Sequence, residues 1–427
     1  MKDGYYLSTY LIIDKNLQRF SNQLFRHDNN FSLWKRTGEK IELIEYYELE
    51  RYTGEKHHDR GFPDVETAKN YINRLLSKRG LSISDMCEVW GTYELQTNKF
   101  RDTDECKNYA YHAICHLFSA VLLNTDIFYT EKILALAVDG GPDICLDYKA
   151  FSKFAYVGAY IDKGDLKLFP ISSPGKLWGM MSYRVKLREG TLMALVNSIK
   201  SKTYLSPIPS MLIFKDNIKI SNILGDILDS MEKQVSSTYI NKGETMFHYD
   251  NRFTYSENMI SNMMKNIQAF SINTMRNNIE RQIEKYNIKP SETYLAISGG
   301  YALNCPTNSF LMDYFGFKGF LAPPCPNDSG QSLGIALYSF YKGMNRFKFN
   351  LQSAYYGYQD DQVMDTLNGT EFGRFIENIE PYSEEQFVSD VCKQPVIWFN
   401  DQAEIGPRSL GNRSILGDPR KKRLKIF

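Results

Sequence analysis

Two short apolar runs in this chain end alike, and that recurrence narrows the choice of fold sharply. Residues 133–138 read ILALAV and lead directly into Asp139-Gly140-Gly141. Residues 294–297 read YLAI and lead into Ser298-Gly299-Gly300. A continuous apolar run of this length, bounded by turn signals, suits a strand buried on both faces, which needs helices on either side. Strand-like and helical runs alternate around both, the signature of α/β architecture. Strands are predicted at 31–35 and 41–47 about a turn at Thr37-Gly38, and a helix at 65–79 before Gly80. A second hairpin is predicted from 154–160 and 166–169 about the turn 162–165. Helices are expected from near Tyr109, across 250–286, and at 328–342. The order strand, hairpin, helices thus occurs twice, which suggests an internal structural duplication.

Composition removes whole classes of function. At 427 residues the chain is long enough for two or three domains, and 43% hydrophobic with 24% charged residues excludes a disordered or fibrous chain. Its 51 basic and 50 acidic side chains leave a net charge of +1, so no electrostatic case for nucleic-acid binding can be built. No apolar run approaches the roughly 18 residues needed to span a bilayer, and the N-terminal stretch lacks a signal-peptide pattern. Seven scattered cysteines without CxxC spacing point to reduced thiols and a cytoplasmic location.

Four segments carry residue types suited to chemistry. His112 and His116 lie four apart in a helical context, so both rings project from one face and can share one divalent ion. No glutamate follows His112, which disfavours a zincin protease. The other histidines are His27, His57, His58 and His248, so a third ligand is expected to be a carboxylate. The glycine pairs at 140–141 and 299–300 would let backbone N–H groups approach phosphate, although no Walker loop is present. In PPCPNDSGQSLG (323–334) a proline turn delivers Asp328 to a helix start, either as a ligand or as an ordinary N-cap. In EIGPRSLGNRSILGDPR (404–420), Arg408, Arg413 and Arg420 sit among glycines and prolines, a cradle for an anion or a solvated basic loop. The terminal KKRLK is read as exposed charge.

Taken together these segments resemble the O-carbamoyltransferase family of natural-product pathways, which includes nodulation protein U and the cephem and aminoglycoside carbamoyltransferases. The family pattern HDxSAAL…EERFTRxKH is similar to the stretch from His27-Asp28 to Lys56-His57, and HHxAHAASA to 111–120. DGxG corresponds to Asp139-Gly140-Gly141, SGGxALN to 298–304 and PAxGDAGxALGAA to 323–336. EFGPRALGNRSILADPR is matched nearly letter for letter by 404–420. The resemblance implies a duplicated actin-like (ASKHA) domain over residues 1–350, with subdomains of about 1–130 and 131–350. That fold is shared with the tRNA threonylcarbamoylation enzyme. A linker at 351–370 and a partial YrdC-like domain at 371–427 would follow. It implies that ATP and carbamoyl phosphate form carbamoyl adenylate, whose carbamoyl group passes to a hydroxyl of a small acceptor at a divalent metal, iron(II) or similar. By the same carry-over His112, His116 and Asp328 hold the metal, and His27 and Asp139 face the reacting group. Gly140, Gly141, Ser298, Gly299, Gly300 and Asn304 line the nucleotide, and Arg408 and Arg413 meet the carbamoyl phosphate.

The sequence departs from the family in places. Asn30 replaces a serine, Phe31 a small residue, and Asp401-Gln402 the usual Gly-Arg. The family's KxRExFRPFAP segment after DPR has no counterpart before Phe427. Either the chain is a fragment, or a separate C-terminal polypeptide completes the domain, or the first half-reaction is lost. The competing reading is therefore a non-catalytic actin-like protein that binds nucleotide and metal but no longer activates carbamoyl phosphate. A tRNA-modifying transferase is disfavoured by the GPRSLGNRSIL segment and the neutral charge balance.

Overall fold

The computed structural model of the protein describes residues 1–13, 27–58, 60–98, 103–143, 147, 149–201, 212–215, 217–240, 249–359, 367 and 370–420, with the side chains of 217, 236–240 and 372 excepted. The terminal basic run and His248 lie outside the described residues, as do 360–366 of the expected linker.

The first sheet contains β1 (Gly4–Tyr10), β2 (Asn30–Thr37), β3 (Lys40–Glu48) and β4 (Met86–Gly91), in the order β3-β2-β1-β4. The second contains β5 (Lys132–Ala137), β6 (Val157–Asp162), β7 (Asp165–Pro170), β8 (Thr293–Ser298) and β9 (Gly319–Leu321), in the order β7-β6-β5-β8-β9. In each, three antiparallel strands form a meander whose first strand also pairs in parallel with a later one. The pairing pattern therefore recurs in the two halves, giving an α/β architecture.

Between β3 and β4 run α1 (Leu49–Thr53) and α2 (Val65–Leu76), and between β4 and β5 run α3 (Asp104–Asn108), α4 (Tyr111–Val121) and α5 (Thr125–Thr130). Within and after the second sheet come α6 (Gly175–Val185), α7 (Glu189–Ser198), α8 (Asn217–Ile240), α9 (Tyr255–Tyr286), α10 (Cys305–Phe315) and α11 (Gln331–Gly343). The expected helix at 65–79 closes as a 3-10 turn over Ser77–Arg79, with Gly80 in the left-handed region.

The two-residue period of the strands divides the apolar residues between layers. Ile133, Ala135 and Ala137 face a central core, whereas Leu134, Leu136 and the following Val138 face an outer core with α6, α8 and α9. On the first sheet Tyr6 and Tyr10 point to the central core and Leu7 to an outer one shared with α2. The result is five layers, helix and sheet alternating. The middle layer is α4 and α11, packed on each other, α4 against the second sheet and α11 against the first. All eleven residues of α4 are buried, as its apolar sequence requires of a helix without a solvent face. At the crossing a Cβ on Gly334 would lie 2.0 Å from the Cys115 carbonyl oxygen, so only glycine permits the approach.

Beyond Gly343 the chain does not drift free. Gly357 N–H donates to Ala403 O (3.0 Å), Ala403 N–H to Tyr358 O (2.9 Å) and Ile405 N–H to Ala354 O (2.8 Å). Tyr46 N–H donates to Tyr356 O (2.7 Å), so this part of the expected linker is bound to β3 on one side and to the C-terminal segment on the other. The last described elements are α12 (Glu384–Lys393) and the hairpin of β10 (Val396–Phe399) with β11 (Arg413–Leu416). Among the described residues no helix is long and apolar enough to cross a membrane, and six of the seven cysteines are described and free.

Candidate active site

The buried helix α4 presents His112 and His116 at its end nearest the glycine turns, each 1% exposed. Asp139 follows β5 by two residues, and Asp328 opens the short turn that becomes α11. Three elements from both halves thus deliver four side chains to one point. His112 Nε2 lies 3.1 Å from His116 Nε2, 3.4 Å from Asp139 Oδ2 and 3.4 Å from Asp328 Oδ1. His116 Nε2 lies 3.2 Å from Asp328 Oδ1 and 4.0 Å from Asp139 Oδ2. In a tetrahedral site with bonds near 2.1 Å, ligand atoms sit about 3.4 Å apart, so the spacing fits one shared ion. The sequence placed Asp139 with the reacting group; the structure brings it into the same four-donor set as the expected ligands.

The field at this point favours positive charge. Burial alone would lower the His112 imidazole, but Asp328 and Asp139 outweigh it and lift it to about 10. Burial would raise Asp328, yet His112, His27 and His116 hold it well below the ordinary carboxylate range. Asp139 is likewise lowered against burial and its neighbour Asp328, by His112 and His116. Two imidazoles and two carboxylates are a donor set suited to a divalent transition metal. Tyr10 Oη donates to Asp328 Oδ2 (3.0 Å) and Gly300 N–H to Asp139 Oδ1 (2.8 Å), so both carboxylates are oriented from behind.

His27 stands beside this set, its Nε2 3.8 Å from Asp328 Oδ2. Its Nδ1 bonds Asp28 Oδ2 at 2.9 Å, and the other oxygen of Asp28 bonds His57 Nδ1 at 2.9 Å. Asn327 Nδ2 also donates to Asp28 Oδ2 (2.9 Å). Against burial, His27 and His57 hold the Asp28 carboxyl at about 2. Sequence reasoning gave no role to Asp28, His57, Tyr10 or Asn327. The first two stand in the HD and KH motifs, which was the available signal; Tyr10 reads as one more apolar strand residue.

The expected nucleotide residues separate into two kinds. A Cβ on Gly140 or Gly141 would meet open space, whereas one on Gly299 (φ +89°) would lie 2.2 Å from Val138 O. Gly299 therefore allows the ends of β5 and β8 to touch, and Gly300 beside it carries the N–H that binds Asp139. Ser298 donates its hydroxyl to His116 O, anchoring α4. Asn304 caps α10, accepting from Thr307 N–H (3.1 Å), and its amide donates to Gln268 Oε1 (2.8 Å). Of the two arginines, Arg408 is exposed. Arg413 is bound inward to Glu404, Nε to Oε2 at 2.8 Å and Nη2 to the backbone oxygen at 2.9 Å.

The signature of the carbamoyltransferase N-terminus matches residues 92–337, more than half of the chain and all four donors, and that of the carbamoyltransferase C-terminus matches 391–426. The chain belongs to the carbamoyltransferase family. It is similar to the 3'-hydroxymethylcephem-O-carbamoyltransferase of Streptomyces clavuligerus, 33% identical over 30% of this chain and 24% of that one. Nodulation protein U of Bradyrhizobium diazoefficiens is 31% identical over 33% of this chain and 23% of its own. These alignments cover less than a quarter of either relative. An uncharacterised protein of Methanocaldococcus jannaschii aligns over 93% of this chain and 72% of its own at 22% identity. Among solved structures, the activator of the 2-hydroxyisocaproyl-CoA dehydratase of Clostridium difficile with bound ADPNP covers 79% of this chain and 95% of its own, with a TM-score of 0.40 and 11% identity. Full-length HypF in the phosphate- and nucleotide-bound form gives a TM-score of 0.37 at 12% identity, over 79% of this chain and 56% of that one.

Proposed function

We propose that this chain carries the metal-dependent transfer centre of an O-carbamoyltransferase, which moves a carbamoyl group to a hydroxyl of a small acceptor. The observation that carries the reading is the convergence of His112, His116, Asp139 and Asp328 on one point, with His27 beside them. Iron(II) or a similar divalent ion held there would polarise the carbamoyl oxygen and stabilise charge in the tetrahedral transition state. His27 turns its Nε2 edge toward the centre; against burial, Asp328 and Asp28 lift its imidazole to about 10, so it would take the acceptor's proton only with a bound cation offsetting Asp328. Asp28, ionised and bonded to Nδ1, holds that edge in place. The buried walls made by α4 and α11 keep bulk water from the reacting group.

The donor in this reading is carbamoyl adenylate, made from ATP and carbamoyl phosphate by a YrdC-like part to which 371–420 contribute. Its adenylate lies along the turns at Gly140-Gly141 and Ser298-Gly299-Gly300 of an actin-like cleft, and exposed Arg408 is a cation available to a phosphate. The test supplies the purified chain with labelled carbamoyl adenylate, a divalent metal and a panel of sugar, aminoglycoside and β-lactam alcohols. Label should enter an acceptor only with metal present, and His112→Ala should abolish it. Transfer that is equally fast after chelation, or in His112→Ala, would refute the reading.

A further inference from the structure

One short helix touches both the C-terminal segment and the transfer centre. Glu48, at the end of β3, accepts from Gly406 N–H at 3.2 Å, and Arg51 in α1 donates from Nη2 to Gly406 O at 2.8 Å. The other arm of Arg51, Nη1, donates to Glu50 Oε1. Glu50 Oε2 in turn accepts from His57 N–H at 2.9 Å. His57 bonds Asp28 twice, its backbone oxygen accepting from Asp28 N–H and its Nδ1 meeting Asp28 Oδ1. Asp28 then holds His27. Each link from the Gly406 loop to His27 is a hydrogen bond between named atoms, and no link depends on packing alone.

The ends of this chain of bonds are under constraint. Asp28 and His57 both adopt left-handed backbone conformations (φ 57° and 69°), uncommon for such residues and sustained where surroundings over-determine them. Gly406 has φ +98°, and a Cβ there would lie 2.3 Å from Pro324 O and 2.8 Å from Cys325 Cα. The loop is thus seated against the turn that delivers Asn327 and Asp328, opposite its contact with α1.

We propose that Arg51 is a positioning residue that couples the seating of the C-terminal loop at Gly406 to the orientation of His27, through Glu50, His57 and Asp28. When the loop is seated the guanidinium fork is held by Gly406 O and aligns Glu50 on His57. When the loop leaves, the fork loses its outer partner, Lys56 (2.9 Å) is left as the fixed partner of Glu50, and the brace on the strained Asp28–His57 pair weakens. The centre is then competent only while the C-terminal segment is docked, which protects a reactive donor from transfer to water. This last consequence rests on the transfer reading above; the structural coupling does not.

The test uses the full chain loaded with zinc and labelled with 15N-histidine. An ionised carboxylate only accepts, so the Nδ1–H protons of His27 and His57 are bound to Asp28 and should give slowly exchanging downfield resonances, assigned with His27→Gln and His57→Gln. Arg51→Met should broaden or abolish both while zinc stoichiometry is kept. Glu50→Ala, which leaves Gly406 and the turn at 324–328 unaltered, should do the same and decides the matter if Arg51→Met fails to fold. Both resonances surviving in a folded Arg51→Met or in Glu50→Ala would overturn the proposal. In a transfer assay Arg51→Met should lower kcat by up to about 10²-fold at unchanged acceptor KM, and Arg51→Lys should recover part of it. Loss of the resonances in variants of a protein that transfers to no acceptor would uphold the coupling and remove the transfer reading.

Discussion

Replacing Glu404 with glutamine should loosen the C-terminal loop by an amount that the structure allows to be worked out. Glu404 is fully buried, and its Oε1 accepts from the N–H groups of Leu410 (2.7 Å), Asn412 (2.8 Å) and Arg413 (3.0 Å). Its Oε2 accepts from Arg413 Nε at 2.8 Å. Burial would raise this carboxyl, but Arg413 and the backbone donors outweigh it and lower it from 4.5 to about 2. At 1.36 kcal/mol for each tenfold change in proton affinity, that is about 3 kcal/mol of stabilisation. Because the folded value lies below the unfolded one, the contribution is complete above pH 4.5 and is lost as pH falls through 4.5 toward 2. Glutamine keeps an oxygen for the three amides but turns an N–H against Arg413 Nε–H, so the ion pair becomes a donor facing a donor. Hydrogen exchange of residues 404–416 measures the opening of this loop directly. At pH 7 protection of the amides of 410, 412 and 413 should fall by about 10² in Glu404→Gln. Between pH 5 and 3 the wild type should lose protection, corrected for intrinsic rates, while the variant stays nearly level. Equal protection in the two proteins at neutral pH would refute the reasoning, for it would mean that the carboxylate holds nothing there.

Other consequences can be checked as simply. Tyr10→Phe removes the hydroxyl behind Asp328 and should weaken metal binding by about 10–100-fold in competition with a chelator; unchanged affinity would show that the donor is idle. His112→Ala and Asp139→Asn should each leave the purified protein largely free of metal in elemental analysis, whereas content equal to wild type in Asp139→Asn would reduce the set to three ligands. Gly299→Ala forces a side chain into the left-handed region and against Val138 O, and urea unfolding should show a loss of about 2–4 kcal/mol. Gly300→Val should abolish ATP binding in calorimetric titration, and an unchanged affinity would mean that these glycines serve the fold alone.

What could be read from the letters was what depends on local pattern. β5 follows from a continuous apolar run and the hairpin about Lys163-Gly164 from a turn between two strand-like runs, so their boundaries were legible to within three residues. His112 and His116 were legible because an i, i+4 pair on a helix must share a face. Asp139 was visible as a strand-end carboxylate but not as a partner of Asp328, since 189 residues separate them and only the parallel pairings of β5 with β8 and of β8 with β9 bring the two turns together. Arg413 looked like a free cation because nothing local announces Glu404, nine residues earlier, as its buried counter-charge. The work of α1 was illegible for the same reason: Arg51 in a run of charges reads as a solvated face until Gly406 is folded back onto it.

The placing of α11 has a consequence for how the protein comes into being. Ser8 in β1 donates to Ser332 O, 324 residues along the chain, and the central face of the first sheet has α11 as its cover. During synthesis that sheet emerges first and must wait for about 250 further residues before its cover exists. At about 5–20 residues per second the delay is on the order of 12–50 s. Over that interval Tyr6, Tyr10, Trp34 and Leu43, all in the central core, have no mature partner layer. A nascent first half is therefore a natural client for chaperones, and an excised piece ending near residue 130 would carry the same uncovered face permanently.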